Sequence, residues 1–182
     1  MTQFSIHTIE SAPAKSKPAM QGLQSAFGFV PNIIGAISNS PALINGLVGL
    51  FGQVHGGSFT EPEVQVVLLT NAVTNGAAWP VAFHSALALS EGVPEAEVAA
   101  IRAGRLPSDS KFAAVSRLAK TLIEYRGHIG GPELDAFVAA GFDKSLALEL
   151  VAMVAASTIT NYAASVTQPP LEDKFQAHVW NA

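Results

Sequence analysis

Hydrophobic residues in this chain recur at spacings of three and four, and the runs they form are separated by proline, glycine and small polar caps. No stretch alternates with period two for long enough to favour a strand, so the pattern predicts an all-α, compact multi-helix protein. Residues 1–17 are polar, contain Pro13 and show no clear period. They read as an N-terminal arm. Pro31 opens a short helical stretch through Ser38, because the fixed φ of proline suits a first helical position. Ser40 and Pro41 then supply an N-cap and a first-turn proline for a helix to about Val54, closed by Gly56-Gly57.

Thr60 and Glu63 have the spacing of a capping box, in which each side chain satisfies an orphan amide near the other. The helix they open carries Val64, Val66, Val67, Leu68, Leu69 and Ala72. It is apolar nearly all round, as a central buried helix should be. It stops at Asn75-Gly76, and Pro80 starts the next helix, which runs to Glu91 before Gly92. Four more follow by the same rules. One covers residues 94–103 ahead of Gly104, and another residues 109–126 after a Ser108 cap, with Phe112, Val115, Leu118 and Leu122 at helical spacing. The last two cover residues 132–140, closed by Gly141, and residues 144–166, capped by Asp143 and stopped before Pro169-Pro170. Residues 171–182 form a C-terminal arm whose Phe175 and Trp180 seat either on their own chain or on a neighbouring subunit. The chain thus divides into an arm (1–17), a helical domain (18–170) and a second arm (171–182).

Composition narrows the function classes. A chain of 182 residues is long enough for one domain with a sizeable core. Apolar residues make up 49% and charged residues only 13%, about half the usual quarter. A surface with so little charge implies that apolar area is covered by other subunits, so a homo-oligomer is expected. The net charge of −4 and the absence of a basic run argue against nucleic acid. The apolar run near Leu146–Ile159 is interrupted by Glu149, Ser157 and Thr158, so no membrane span is expected. The first residues lack a basic region followed by an apolar one, and the cytoplasm is the expected location. There is no cysteine, which removes disulfides and thiolate metal sites.

The segment Asn75-Gly76-Ala77-Ala78-Trp79-Pro80-Val81-Ala82-Phe83-His84 resembles the active-site segment of the carboxymuconolactone decarboxylase and D-type alkylhydroperoxidase superfamily. Peroxidase members of that family have a Glu, then Cys-x-x-Cys after eleven residues, then His three residues on. Those positions fall here on Gln65, Ala77, Pro80 and His84. Phe27-Gly28-Phe29-Val30-Pro31-Asn32, Ser40-Pro41 and Asn161 are similar to the roughly 180-residue peroxidase-related subgroup. The resemblance covers about residues 20–168 and implies a helical alkylhydroperoxidase-D-like domain.

Thiol peroxidase chemistry needs a thiolate nucleophile and a second thiol to resolve the oxidised sulfur, and this chain supplies neither. Gln65 can hydrogen-bond but cannot take and return a proton as a carboxylate does. Glu63 cannot replace it, because residues two apart on a helix do not share a face. Pro80 is explained by its first-turn position, and the electropositive helix end beside Ala77 remains able to hold an anionic group. His84 shares a face with Pro80, Val81, Leu87 and Ala88. It is either a satisfied core histidine or an acid–base group beside a pocket lined by Gln65, Trp79 and Phe83.

The remaining histidines read as structural. His55 suits capping at a helix end, and His128 lies in a tight glycine-rich turn. His7 and His178 sit in the arms. Neither a metal nor a cofactor is expected, because no local ligand spacing is present. Asn161 and Tyr162 read as buried hydrogen-bonding groups or as pocket wall. Two functions follow from these residues. One is a cysteine-less scaffold or binder of a small organic anion or apolar ligand, without thiol peroxidase activity. The other is an acid–base enzyme that uses His84 on a small anionic substrate, for which the resemblance implies lactone decarboxylation or a related isomerisation.

Overall fold

In the computed structural model, which describes residues 4–181, the described residues form nine α-helices and two short 3-10 turns, with no strand among them. The helices are α1 (Lys17–Phe27), α2 (Asn32–Ile37), α3 (Pro41–His55), α4 (Glu61–Thr74), α5 (Ala78–Ser90), α6 (Glu95–Arg102), α7 (Ser110–Glu124), α8 (Gly131–Ala139) and α9 (Leu146–Thr167). Helix α1 is an addition to the elements read from the sequence. Pro18 sits in its first turn, its buried Ala19 and Met20 face inward, and Gly28 ends it with φ of 76°.

The centre of the molecule is α4, whose residues from Glu63 to Ala72 are all buried. It packs against α5, α6, α7 and α9, and more lightly against α3. The capping box forms as expected: the Glu63 carboxylate accepts from the Thr60 amide at 2.9 Å, and the Thr60 hydroxyl accepts from the Glu63 amide at 3.5 Å. Ser40 caps α3 by accepting from Leu43 N at 3.3 Å. At α7 the cap is Asp109, which accepts from the amides of Lys111 and Phe112, each at 2.9 Å. Ser108 instead gives its hydroxyl to Glu97. A carboxylate at this position accepts two amides at once, which a single hydroxyl does less well.

Two apolar clusters flank α4. The larger joins α4 to α7, α8 and α9 through residues such as Leu68, Leu118, Phe137, Leu150 and Met153. The second gathers Met20, Ile34, Ile44 and Leu47 from α1–α3 around Trp79 and Phe83 of α5. The first and last described segments are tied onto this bundle. The His7 amide donates to Gly35 O at 3.2 Å, and a β-carbon at Gly35 would stand 2.7 Å from the His7 carbonyl oxygen. The C-terminal segment lies on its own α5. Phe175 packs into the second cluster, Trp180 Nε1 donates to Arg102 O at 2.9 Å, and the Arg102 guanidinium donates to the carbonyls of His178 and Val179, each at 2.9 Å.

Candidate functional site

The link between α4 and α5 is set by Asn75 and Gly76. Asn75 donates back to Asn71 O at 2.9 Å, and Asn71 donates to Val154 O of α9 at 2.9 Å, so the end of α4 is tied to its neighbour. Gly76 takes φ of 64° with open space around it. The requirement there is for the left-handed backbone, which glycine adopts without strain. This turn delivers Ala77 to the N-cap of α5. The helix begins two residues earlier than Pro80, which becomes its third residue. Ala77 offers no side chain to cap the helix, so the amide-rich end keeps its electropositive character.

Residues four apart on α5 fall on two faces. His84 turns toward α4, where its Nδ1 meets Gln65 Oε1 at 3.0 Å; Pro80, one turn earlier, is buried as well. An amide oxygen only accepts, so Nδ1 carries the proton and Nε2 presents the lone pair. Both side chains are buried, His84 at 6% exposure and Gln65 at 3%. Burial, followed by the charge of the neighbouring His55, pushes the His84 pKa down to about 3. The ring is therefore neutral near pH 7, and it accepts or donates hydrogen bonds without holding a positive charge.

Trp79 and Phe83 occupy the adjoining face and stack on one another at 5.0 Å. Phe83 also meets Phe27 edge-on at 5.7 Å and Phe175 at 5.2 Å. The edge of the Phe83 ring relates to the His84 ring at 5.3 Å. Trp79 Nε1 is buried and has no acceptor among the described residues. An unsatisfied buried donor costs about 1–3 kcal/mol, and a ligand bearing an acceptor would relieve that cost.

The fold thus brings Gln65 and His84 into contact, with Ala77 and Pro80 at the adjacent helix start, and directs Trp79 and Phe83 into an aromatic cluster. Two clefts, of about 150 and 340 Å³, lie elsewhere along α7 and are lined by other residues. Among the described residues no three His, Asp or Glu side chains gather in a way that could hold a metal ion.

Several neighbouring residues have different surroundings from those the sequence suggested. His55 ends α3 but turns its Nδ1 to the Glu61 carboxylate at 3.0 Å, because a full negative charge outcompetes partly charged helix carbonyls. Asn161 is fully buried, with only a 3.5 Å contact from its Nδ2 to Ser157 Oγ and with Oδ1 unpaired. Tyr162 is 60% exposed, so it is neither a buried hydrogen-bonding group nor pocket wall. Sequence reasoning also missed Phe27 and Phe175 as neighbours of Phe83. Their aromatic character was visible, but their proximity depends on how α1 and the C-terminal segment dock.

No protein-family model and no curated protein matches this chain, whereas solved structures do. A peroxidase-related protein with an alkylhydroperoxidase AhpD core, from Ralstonia eutropha JMP134, superposes with a TM-score of 0.83 at 16% identity, covering 98% of this chain and 97% of that one. The debrominase Bmp8 gives a TM-score of 0.80 at 18% identity, covering 98% and 96%. A peroxidase-related protein from Silicibacter sp. TM1040 gives 0.77 at 16% identity, covering 98% of each chain. Identities this low establish architecture alone, and that architecture, nearly end to end, is the all-helical AhpD-like fold.

Proposed function

We propose that this chain is a cysteine-less, non-catalytic protein of the AhpD-like fold that binds a small organic ligand beside α5. The observation that carries the reading is the Gln65–His84 pair: a buried neutral imidazole held at 3.0 Å by an amide that cannot relay a proton. A base whose conjugate acid has a pKa of about 3 is a poor match for proton transfer near neutral pH, which weighs against the acid–base alternative. Binding is supported by the unpartnered Trp79 Nε1, the aromatic face around Phe83 and the uncapped start of α5. Together these suit a flat apolar molecule carrying an acceptor or an anionic group. A variant of the debrominase Bmp8 has been solved in complex with 2,3,4-tribromopyrrole, which makes that compound a sensible first probe. We assign the protein to the cytoplasm. That assignment fits α9, the one described helix with the length and apolarity to cross a membrane, holding its polar Ser157, Thr160 and Asn161 buried against the other helices.

The test is ¹⁵N NMR of the His84 ring across a panel of small organic acids and 2,3,4-tribromopyrrole. The expected result is a ring that stays neutral from about pH 8 to about pH 5, shifts on addition of a ligand, and leaves that ligand unchanged. A ring that titrates near neutrality while the ligand is consumed would establish the acid–base enzyme instead.

A further inference from the structure

The cleft of about 150 Å³ lies between α4, α7 and the end of α6, and it shares no lining residue with the aromatic face of α5. Its wall includes Thr70 of α4 and Ser116 of α7. Both are buried, at 4% and 2% exposure, and their hydroxyl oxygens lie 2.9 Å apart. A buried hydroxyl within a helix often returns its hydrogen to the carbonyl one turn back. Thr74, Thr121 and Thr158 do so, at 2.7, 2.9 and 2.7 Å. Thr70 and Ser116 bond to each other instead. That bond uses one of their two hydrogens, and the second has no acceptor among the described residues. Buried polar groups are nearly always paired, so this hydrogen calls for an acceptor from outside the chain.

The rim of the same cleft adds an independent observation. Gly104 closes α6 in the left-handed region, with φ of 71°. The amides of Gly104 and Arg105 then donate to Ile101 O at 2.8 Å and Ala100 O at 2.9 Å. This closed turn fixes the backbone of Arg105 at the rim, and its guanidinium forms no ion pair among the described residues. Lys120 also lines the cleft, but its ammonium lies 3.8 Å from the Glu124 carboxylate and 3.5 Å from Gly104 O. One uncompensated positive charge therefore remains, on a chain whose net charge is −4. Val73, Ile101 and Leu106 supply the apolar part of the wall.

We propose that this cleft binds a short aliphatic oxo acid, its carboxylate on Arg105 and its oxo oxygen on the Thr70–Ser116 hydroxyl pair. A guanidinium fork matches a carboxylate through two parallel hydrogen bonds. A single free cation suits a monoanion better than a phosphate, which brings more charge than the cleft can neutralise. A ketone oxygen only accepts, which is what a spare hydroxyl hydrogen needs. The hydrocarbon of the acid lies against the apolar wall. A cavity of this volume admits a molecule the size of benzene, so the ligand has about seven non-hydrogen atoms, as 2-oxobutanoate does.

The test is ¹⁵N NMR of the full chain titrated with 2-oxobutanoate. The amides of Thr70, Gly104, Arg105 and Ser116 are expected to shift and to saturate with a Kd of about 1 mM. Arg105 is exposed, so Arg105→Gln leaves the core intact, and it is expected to weaken binding about tenfold. Butanoate, which lacks the oxo oxygen, is expected to bind about fivefold more weakly than 2-oxobutanoate. The double variant Thr70→Val with Ser116→Ala removes both hydroxyls, and it is expected to bind the two acids equally while keeping its helical circular-dichroism spectrum. Absence of saturable shifts at these amides up to about 20 mM acid would overturn the proposal. So would an affinity indifferent to Arg105→Gln, or inorganic phosphate binding as tightly as the oxo acid. Shifts confined to Trp79 and His84 would also overturn it, because they would place the acid beside α5. The cleft is independent of that site, and failure of either reading leaves the other standing.

Discussion

At His84 the local chemistry follows from burial more than from residue type. A histidine whose folded-state pKa lies near 3, against an ordinary value near 6.5, binds fewer protons folded than unfolded between those limits. Its contribution to stability is therefore complete above about pH 6.5 and is lost progressively as the pH falls toward 3. The slope from this one group approaches about 1.4 kcal/mol per pH unit. Urea titrations at about pH 7 and about pH 5 should show a larger loss of stability in the parent chain than in His84→Gln, which removes the titrating ring. At Gln65, Ala77 and Pro80 the prediction concerns chemistry. The purified parent chain should show no thiol-dependent consumption of an organic hydroperoxide. The variant Gln65→Glu with Ala77→Cys and Pro80→Cys should acquire it, as read by the same hydroperoxide assay. The expected histidine and its amide partner were both legible in the sequence, because their spacing survives even though three of the four side chains differ from the peroxidase pattern.

Helix ends show how well short-range chemistry is encoded. The Thr60–Glu63 box lies where its spacing places it, and Thr60→Ala should cost about 0.5–2 kcal/mol in urea denaturation. Asp109 displaces Ser108 as the cap of α7 because Glu97, from a different helix, claims the Ser108 amide and hydroxyl. That competitor is distant in the chain, and a local reading cannot see it. Helix α1 carries Ala19, Met20, Leu23 and Phe27 at helical spacing, but it is short, is interrupted by Gly22 and starts inside the irregular arm. Packing against α3 supplies what its own sequence lacks. Contacts between segments can be tested at this scale as well. Gly35→Ala pushes a β-carbon against the backbone of His7 and should destabilise the fold by about 1–3 kcal/mol, as measured by denaturant midpoint. Arg102→Ala removes the donors that hold the carbonyls of His178 and Val179. It should make the C-terminal segment the first site of cleavage in limited proteolysis, leaving α4 and α5 intact.

Across the whole molecule, charge is distributed unevenly. Residues 91–149 hold most of the charged side chains, while the surface made by α3 and α9 has almost none. The low overall charge therefore reflects one face of the protein and not a uniformly bland exterior. The two ends of the chain serve the interior: the first segment lies on α2, and the last places Phe175 against Phe83. The aromatic group beside the candidate site is thus assembled from α1, α5 and the C terminus, regions that are far apart in sequence.

What the sequence determined by itself was helical class, the position of most helix ends, the central burial of α4 and the loss of thiol chemistry. These rest on period, capping and residue identity, all of which act within a few residues. Tertiary structure alone decided that His84 is neutral and bonded to Gln65, that Trp79 and Phe83 turn into an aromatic cluster, and that Tyr162 stands in solvent. Those outcomes depend on desolvation and on which helix faces meet, and such quantities arise only when distant segments share one interior.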